Sequence, residues 1–127
     1  MGKISNKSVL VIDDDVGMLR ALTKVLSGEG CLVATASCPK TAVEFVNTAE
    51  RHFDLIITDL RMPNLNGMGV LQAVKTTYPS VPVIIVTAFG SPEARAEAYR
   101  LGATAFLEKP VDTEQLLAVI NQEPMPP

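Results

Sequence analysis

The sequence predicts an α/β fold in which a parallel β-sheet is covered by helices on both faces. Three observations point to it. Five short β-rich apolar runs recur along the 127 residues, the stretches between them carry helical spacing, and most of those stretches are bounded by helix-capping residues. Right-handed crossovers between parallel strands then favour a doubly wound arrangement of five strands.

The first run is Val9–Ile12, followed by Val16, Leu19, Leu22 and Leu26 at intervals of three, three and four, with Gly28 as a stop. Leu32–Ala36 is the second run, and Val43, Val46 and Ala49 form the next helical stripe behind Ser37 and Pro39. Leu55–Thr58 precedes a turn signal at Met62-Pro63-Asn64, a loop with Gly67-Met68-Gly69, and the stripe Val70, Leu71, Val74. Val83–Thr87 is the fourth strand. Ser91-Pro92-Glu93 then supplies an N-cap, a first-turn proline and an acid at the positive helix end, and Gly102 closes that fourth helix. Ala105–Leu107 is the fifth strand, and Asp112 with Gln115 resembles a capping box ahead of Leu116, Leu117, Val119 and Ile120. This reads as one domain over residues 8–122, preceded by a segment 1–7 and followed by a proline-rich tail 123–127, either the true end or the start of a linker.

Apolar residues make up 47% of the chain, enough for a core that needs neither metal nor disulfide. The balance of 11 basic and 14 acidic residues, net −3, argues against direct nucleic-acid binding. The longest aliphatic runs, Val9–Ile12 and Val83–Val86, are far too short to span a bilayer, so no membrane partner is expected. The polar start lacks a signal peptide, and Cys31 and Cys38 read as small packing residues in a reducing compartment; a cytoplasmic location is expected.

In an open α/β sheet the ligand site lies beyond the carboxyl ends of the strands. Strand one ends in Asp13-Asp14-Asp15, strand three in Thr58-Asp59, strand four in Thr87-Ala88 and strand five in Glu108-Lys109-Pro110. Each residue has an ordinary alternative: Asp14 or Asp15 as a helix cap, Asp59 in a turn, Thr87 as a β-former, Lys109 as a surface amine. Their shared edge tips the balance toward chemistry. Clustered carboxylates repel unless a cation joins them, and hard oxygen ligands suit Mg²⁺ or Mn²⁺. A carboxylate can also act as nucleophile toward phosphorus, where catalysis is mainly positioning and charge neutralisation.

These motifs together resemble the receiver domains of two-component response regulators, the CheY-like modules, and most closely receivers of the NtrC and FixJ type. The resemblance rests on Val11-Ile12-Asp13-Asp14-Asp15, on Ile57 through Pro63 with Gly67, on Val86-Thr87-Ala88, and on Gly102-Ala103 through Phe106 to Lys109-Pro110. It implies a flavodoxin-like sheet of order 2-1-3-4-5. It implies Asp59 as phosphoacceptor, with Mg²⁺ held by Asp14 directly, by Asp13 mainly through water, by Asp59 and by the backbone carbonyl of Arg61. Thr87 and Lys109 would bind phosphoryl oxygens, and Lys109-Pro110 would be a cis peptide. The partner would be a sensor histidine kinase or a phosphotransfer protein. A homodimer could form through the face of the fourth helix, fifth strand and fifth helix; a solvated helix with internal charge pairs is the alternative.

The resemblance further implies a switch in which Thr87 moves toward the phosphoryl group and an aromatic residue, here Phe106, rotates inward. Phe106 has no hydroxyl, so only space and burial drive it, and a modest bias between states is expected. Arg61 and Phe89 flank the site where bulk would hinder the water that hydrolyses the phosphoryl group. Val111 stands where many relatives have phenylalanine. His52 is expected to suit a helix end and not to carry phosphate. A Mg²⁺-dependent phosphatase is the main rival; such enzymes want Asp-x-Asp after the first strand, whereas strand one here ends in three adjacent acids and Asp59 is followed by Leu60 and Arg61. The glycine patterns of nucleotide-binding loops are missing.

Overall fold

The structure is a computed structural model that describes residues 6–38, 40–42, 44, 52–62, 65–88 and 90–122. Five strands, β1 (Ser8–Ile12), β2 (Leu32–Ala36), β3 (Leu55–Thr58), β4 (Val83–Thr87) and β5 (Ala105–Glu108), form one parallel sheet of order β2-β1-β3-β4-β5. Strand order and direction are those the sequence led us to expect. The stripe at Val43, Val46 and Ala49 lies outside the described residues; helix begins at Lys40–Ala42.

Alternate residues of each strand point to opposite faces, and both faces are dry. Leu10, Ile12, Ile56, Ile85 and Phe106 pack with Val70, Leu71 and Ala98, whereas Val11, Ile57, Ile84 and Leu107 pack with Leu22, Leu26, Leu116 and Ile120. The inner strands β3 and β4 are buried along their whole length, which is why they read as unbroken aliphatic runs. β2 lies at the sheet edge and alternates less cleanly, leaving Leu32 exposed. Among the described residues no helix is long and apolar enough to cross a membrane.

The helix after β1 (Val16–Gly28) starts on Asp15, whose carboxylate accepts from the Met18 N–H at 3.2 Å. Gly28 is its last residue, and the left-handed turn that redirects the chain is at Gly30 (φ 89°), two residues beyond the expected stop. The helix after β4 (Pro92–Arg100) uses the predicted Ser91 cap, which accepts from the Ala94 N–H at 3.0 Å, and Gly102 (φ 107°) ends it. Asp112 caps the helix after β5 (Thr113–Gln122), accepting from Glu114 N–H at 2.9 Å and Gln115 N–H at 3.3 Å.

Two expectations need correction. Gly67-Met68-Gly69 is not loop: the helix before β4 runs Gly67–Thr77, preceded by a small hairpin pairing Arg61–Met62 with Leu65–Asn66. The buried face of Val70, Leu71 and Val74 outweighs the poor helix propensity of two glycines in the first turn. Cys31 is buried as a packing residue, but Cys38 is exposed, its sulfur 3.1 Å from the Thr41 hydroxyl.

Candidate functional site

The sheet ladder runs one residue past the strands at their carboxyl edge. Asp13 N–H donates to the Ala36 carbonyl (3.1 Å), Asp59 N–H to the Ile12 carbonyl (3.0 Å) and Lys109 N–H to the Thr87 carbonyl (2.9 Å). The register Ile12↔Thr58 sets the two acids side by side, and Thr87↔Glu108 brings Lys109 to the same edge. These backbones are therefore as fixed as the sheet itself.

Asp13 and Asp59 are buried at 3% and 4% exposure, while Asp14 faces solvent. One carboxylate oxygen from each of Asp13, Asp14 and Asp59 lies within 4.8 Å of the others. The Lys109 ammonium donates to Asp13 Oδ2 at 2.7 Å and to Asp59 Oδ2 at 2.9 Å, so one cation bridges two carboxylates that would otherwise repel. Asp13 Oδ1 accepts from the Asp15 N–H at 2.9 Å, which orients the carboxylate.

Burial pushes the Asp13 carboxyl above its usual range, against the lowering effect of the Lys109 hydrogen bond. Burial would lower Lys109, but its hydrogen bonds to Asp13 and Asp59 outweigh that and hold the ammonium above its ordinary value. Three carboxylates around one ammonium leave an excess of negative charge. A hard, oxygen-only donor set of this kind fits a divalent cation such as Mg²⁺.

Thr87 is fully buried at the end of β4, and the Lys109–Pro110 peptide is cis. The Arg61 backbone belongs to the hairpin after Asp59; its side chain and Phe89 lie outside the described residues. Phe106 is only 4% exposed and belongs to the buried cluster that includes Ile85 and Ala98. Asp15 serves as helix cap and takes no part in the acid cluster. His52 is exposed ahead of β3. On the helix after β4, Glu97 and Arg100 pair with each other at 2.6 Å, as the solvated-helix alternative requires.

Sequence reasoning missed an open cavity of about 620 Å³ beside Lys109, lined by Gly17, Met18 and Ala21 and by Pro110, Val111 and Thr113. The signal was present as two small residues, Gly17 and Ala21, one helical turn apart.

A parallel sheet that gathers three carboxylates and an ammonium at its carboxyl edge defines a class: α/β domains equipped to hold a divalent cation and an anion together. Residues 9–121 match the family described as the response regulator receiver domain, and the chain belongs to that family. It is 38% identical over 117 residues to the transcriptional regulatory protein ZraR of Escherichia coli K12, covering 92% of this chain and 26% of ZraR. The chain thus spans about a quarter of the length of that relative. Among solved structures, a CheY-like receiver domain protein from Methanospirillum hungatei superposes with a TM-score of 0.87 at 28% identity, covering 91% of each chain. A response regulator protein from Burkholderia pseudomallei with a phosphorylated aspartic acid, calcium ion and citrate superposes with a TM-score of 0.85 at 26% identity, covering 92% of this chain and 68% of that one.

Proposed function

We propose that this receiver domain takes a phosphoryl group from the phosphohistidine of a sensor histidine kinase, or of a phosphotransfer protein, onto Asp59. The observation that carries the reading is the Lys109 ammonium bridging Asp13 and Asp59 at 2.7 and 2.9 Å. A phosphorylated aspartic acid and a calcium ion in the Burkholderia pseudomallei neighbour support it.

In the forward step an Asp59 carboxylate oxygen attacks phosphorus. The new P–O bond forms as the P–N bond to the donor imidazole breaks, and the imidazole keeps the electron pair and takes up a proton. In the second step, hydrolysis, water attacks phosphorus, the P–O bond to Asp59 breaks with its electron pair returning to the carboxylate, and inorganic phosphate leaves as the water gives up a proton to solvent. Asp14, Asp13, Asp59 and the Arg61 carbonyl would hold Mg²⁺ (or Mn²⁺), which supplies charge neutralisation for the phosphoryl oxygens. Lys109 and the Thr87 hydroxyl bind those oxygens as they gain charge. The domain catalyses only its own modification and acts as a switch, in the cytoplasm, through the face of the helix after β4, β5 and the helix after β5. Arg61 and Phe89 tune access of the hydrolytic water.

Intact mass after incubation with acetyl phosphate tests this. With Mg²⁺ a gain of about 80 Da, one phosphoryl group, is expected; with excess chelator it should vanish. Rapid consumption of acetyl phosphate with no adduct at any time would favour the phosphatase reading instead.

A further inference from the structure

We propose that Arg95 is a positioning residue that holds Phe106 inward and so sets the resting balance of the switch. Its effect on Asp59 chemistry rests on the phosphoacceptor reading; its effect on the ring does not. The Arg95 guanidinium carbon lies 5.8 Å from the centroid of the Phe106 ring and 5.5 Å from that of Tyr99. Its Nη1 donates to the Phe106 carbonyl at 3.4 Å. Among the described residues no carboxylate pairs with it. The cation is therefore spent on the two rings and on the backbone of β5.

The ring also meets the loop after β4. A Cβ built at Gly90 would meet Phe106 Cε1 at 3.0 Å, so the ring edge rests against the loop that leaves Thr87. Phe106 is buried in the same cluster as Ile85, its register partner on β4, and Ala98 on the helix that carries Arg95. With no hydroxyl to anchor it on either side, the ring stays where packing and the guanidinium hold it. Outward rotation must break the contact between the Arg95 guanidinium and the Phe106 ring, a contact worth enough at exposed sites to bias a two-state position several-fold. An inward ring in turn supports the Thr87 loop in the arrangement that phosphoryl binding needs.

The test compares wild-type protein with Arg95→Gln and Arg95→Lys, without any phosphodonor, by nuclear Overhauser contacts from the Phe106 ring to the Ile85 and Ala98 methyl groups. Arg95→Gln keeps a donor but loses the cation, and those contacts should weaken. Arg95→Lys, which keeps a cation over the ring, should retain more of them. Beryllofluoride with Mg²⁺ should restore the contacts in Arg95→Gln, and its labelling by acetyl phosphate should slow about five-fold. Unchanged ring contacts in Arg95→Gln, or glutamine and lysine behaving alike, would overturn the proposal. If wild-type protein gives neither adduct nor beryllofluoride response while the ring contacts change as stated, the positioning role stands and the phosphoacceptor reading falls.

Discussion

Replacing Lys109 with methionine is expected to slow phosphorylation by acetyl phosphate about 100-fold or more, the scale of losing one pre-placed donor to a developing oxyanion. It should also destabilise the metal-free protein. Asp13 and Asp59 would be left facing each other at 3% and 4% exposure with no cation between them. Stripping one partner from a buried ion pair costs about 3–5 kcal/mol, and the partial exposure of the Lys109 side chain brings the expectation to about 2 kcal/mol. Urea unfolding measures it. The sign with pH follows from the shifts. Lys109 holds its proton more tightly folded than unfolded, so its contribution is complete below the ordinary lysine range and is lost as pH rises through the raised value. In Lys109→Met the deficit should shrink on acidification, as one of the two carboxylates protonates, and Mg²⁺ should recover much of it. A variant as stable as wild type at neutral pH without metal would contradict the bridging role.

Asp13→Asn should do the opposite to stability. The Asp13 carboxyl is raised by burial, so the folded protein holds that proton more tightly than the unfolded chain does. Relative stability is then full below the ordinary carboxyl range and is lost as pH rises through the raised value, which means that ionised Asp13 weakens the fold at neutral pH. An asparagine keeps an oxygen to accept from the Asp15 N–H, leaves Asp59 to pair with Lys109, and removes the desolvated charge. The melting temperature should rise at pH 7 without metal, and the gain should fade in acid. The same change should weaken Mg²⁺ binding about 10–100-fold, as expected for a carboxylate that acts through metal-bound water. A lowered melting temperature with the wild-type pH profile would sink this account. The site thus trades stability for chemistry at one residue.

The sheet was legible because its strands are short apolar runs, four of them carrying β-branched residues, closed by charged or turn residues. Ser8 and Glu108, the residues by which β1 and β5 exceed the predicted runs, are added by tertiary bonds that composition does not show. Ser8 N–H donates to Asp54 Oδ2 at 2.8 Å, and Glu108 pairs with Thr87 across β4 and β5. Asp13, Asp14, Asp59, Thr87 and Lys109 could be picked out because each stands at or just past the end of a strand, and parallel order sends all those ends to one edge. What stayed hidden depends on neighbours distant along the chain or across the fold. Arg95 reads as one charge among several on an alanine-rich helix until β5 sets Phe106 beneath it. Gly90 reads as a loop residue until that ring is found against it. The helical start at Gly67 was hidden for a different reason: local propensity there disagrees with the burial that decides it.

The most direct measurement is reductive trapping. Protein labelled with acetyl phosphate and Mg²⁺ is treated with borohydride, which converts an aspartyl phosphate to homoserine, and the peptides are sequenced by mass spectrometry. Homoserine at position 59, missing from Asp59→Asn and from chelated protein, is the expected result. Homoserine at Asp13 or Asp14 instead, or a trapped adduct that persists in Asp59→Asn, would contradict the assignment of Asp59 as phosphoacceptor.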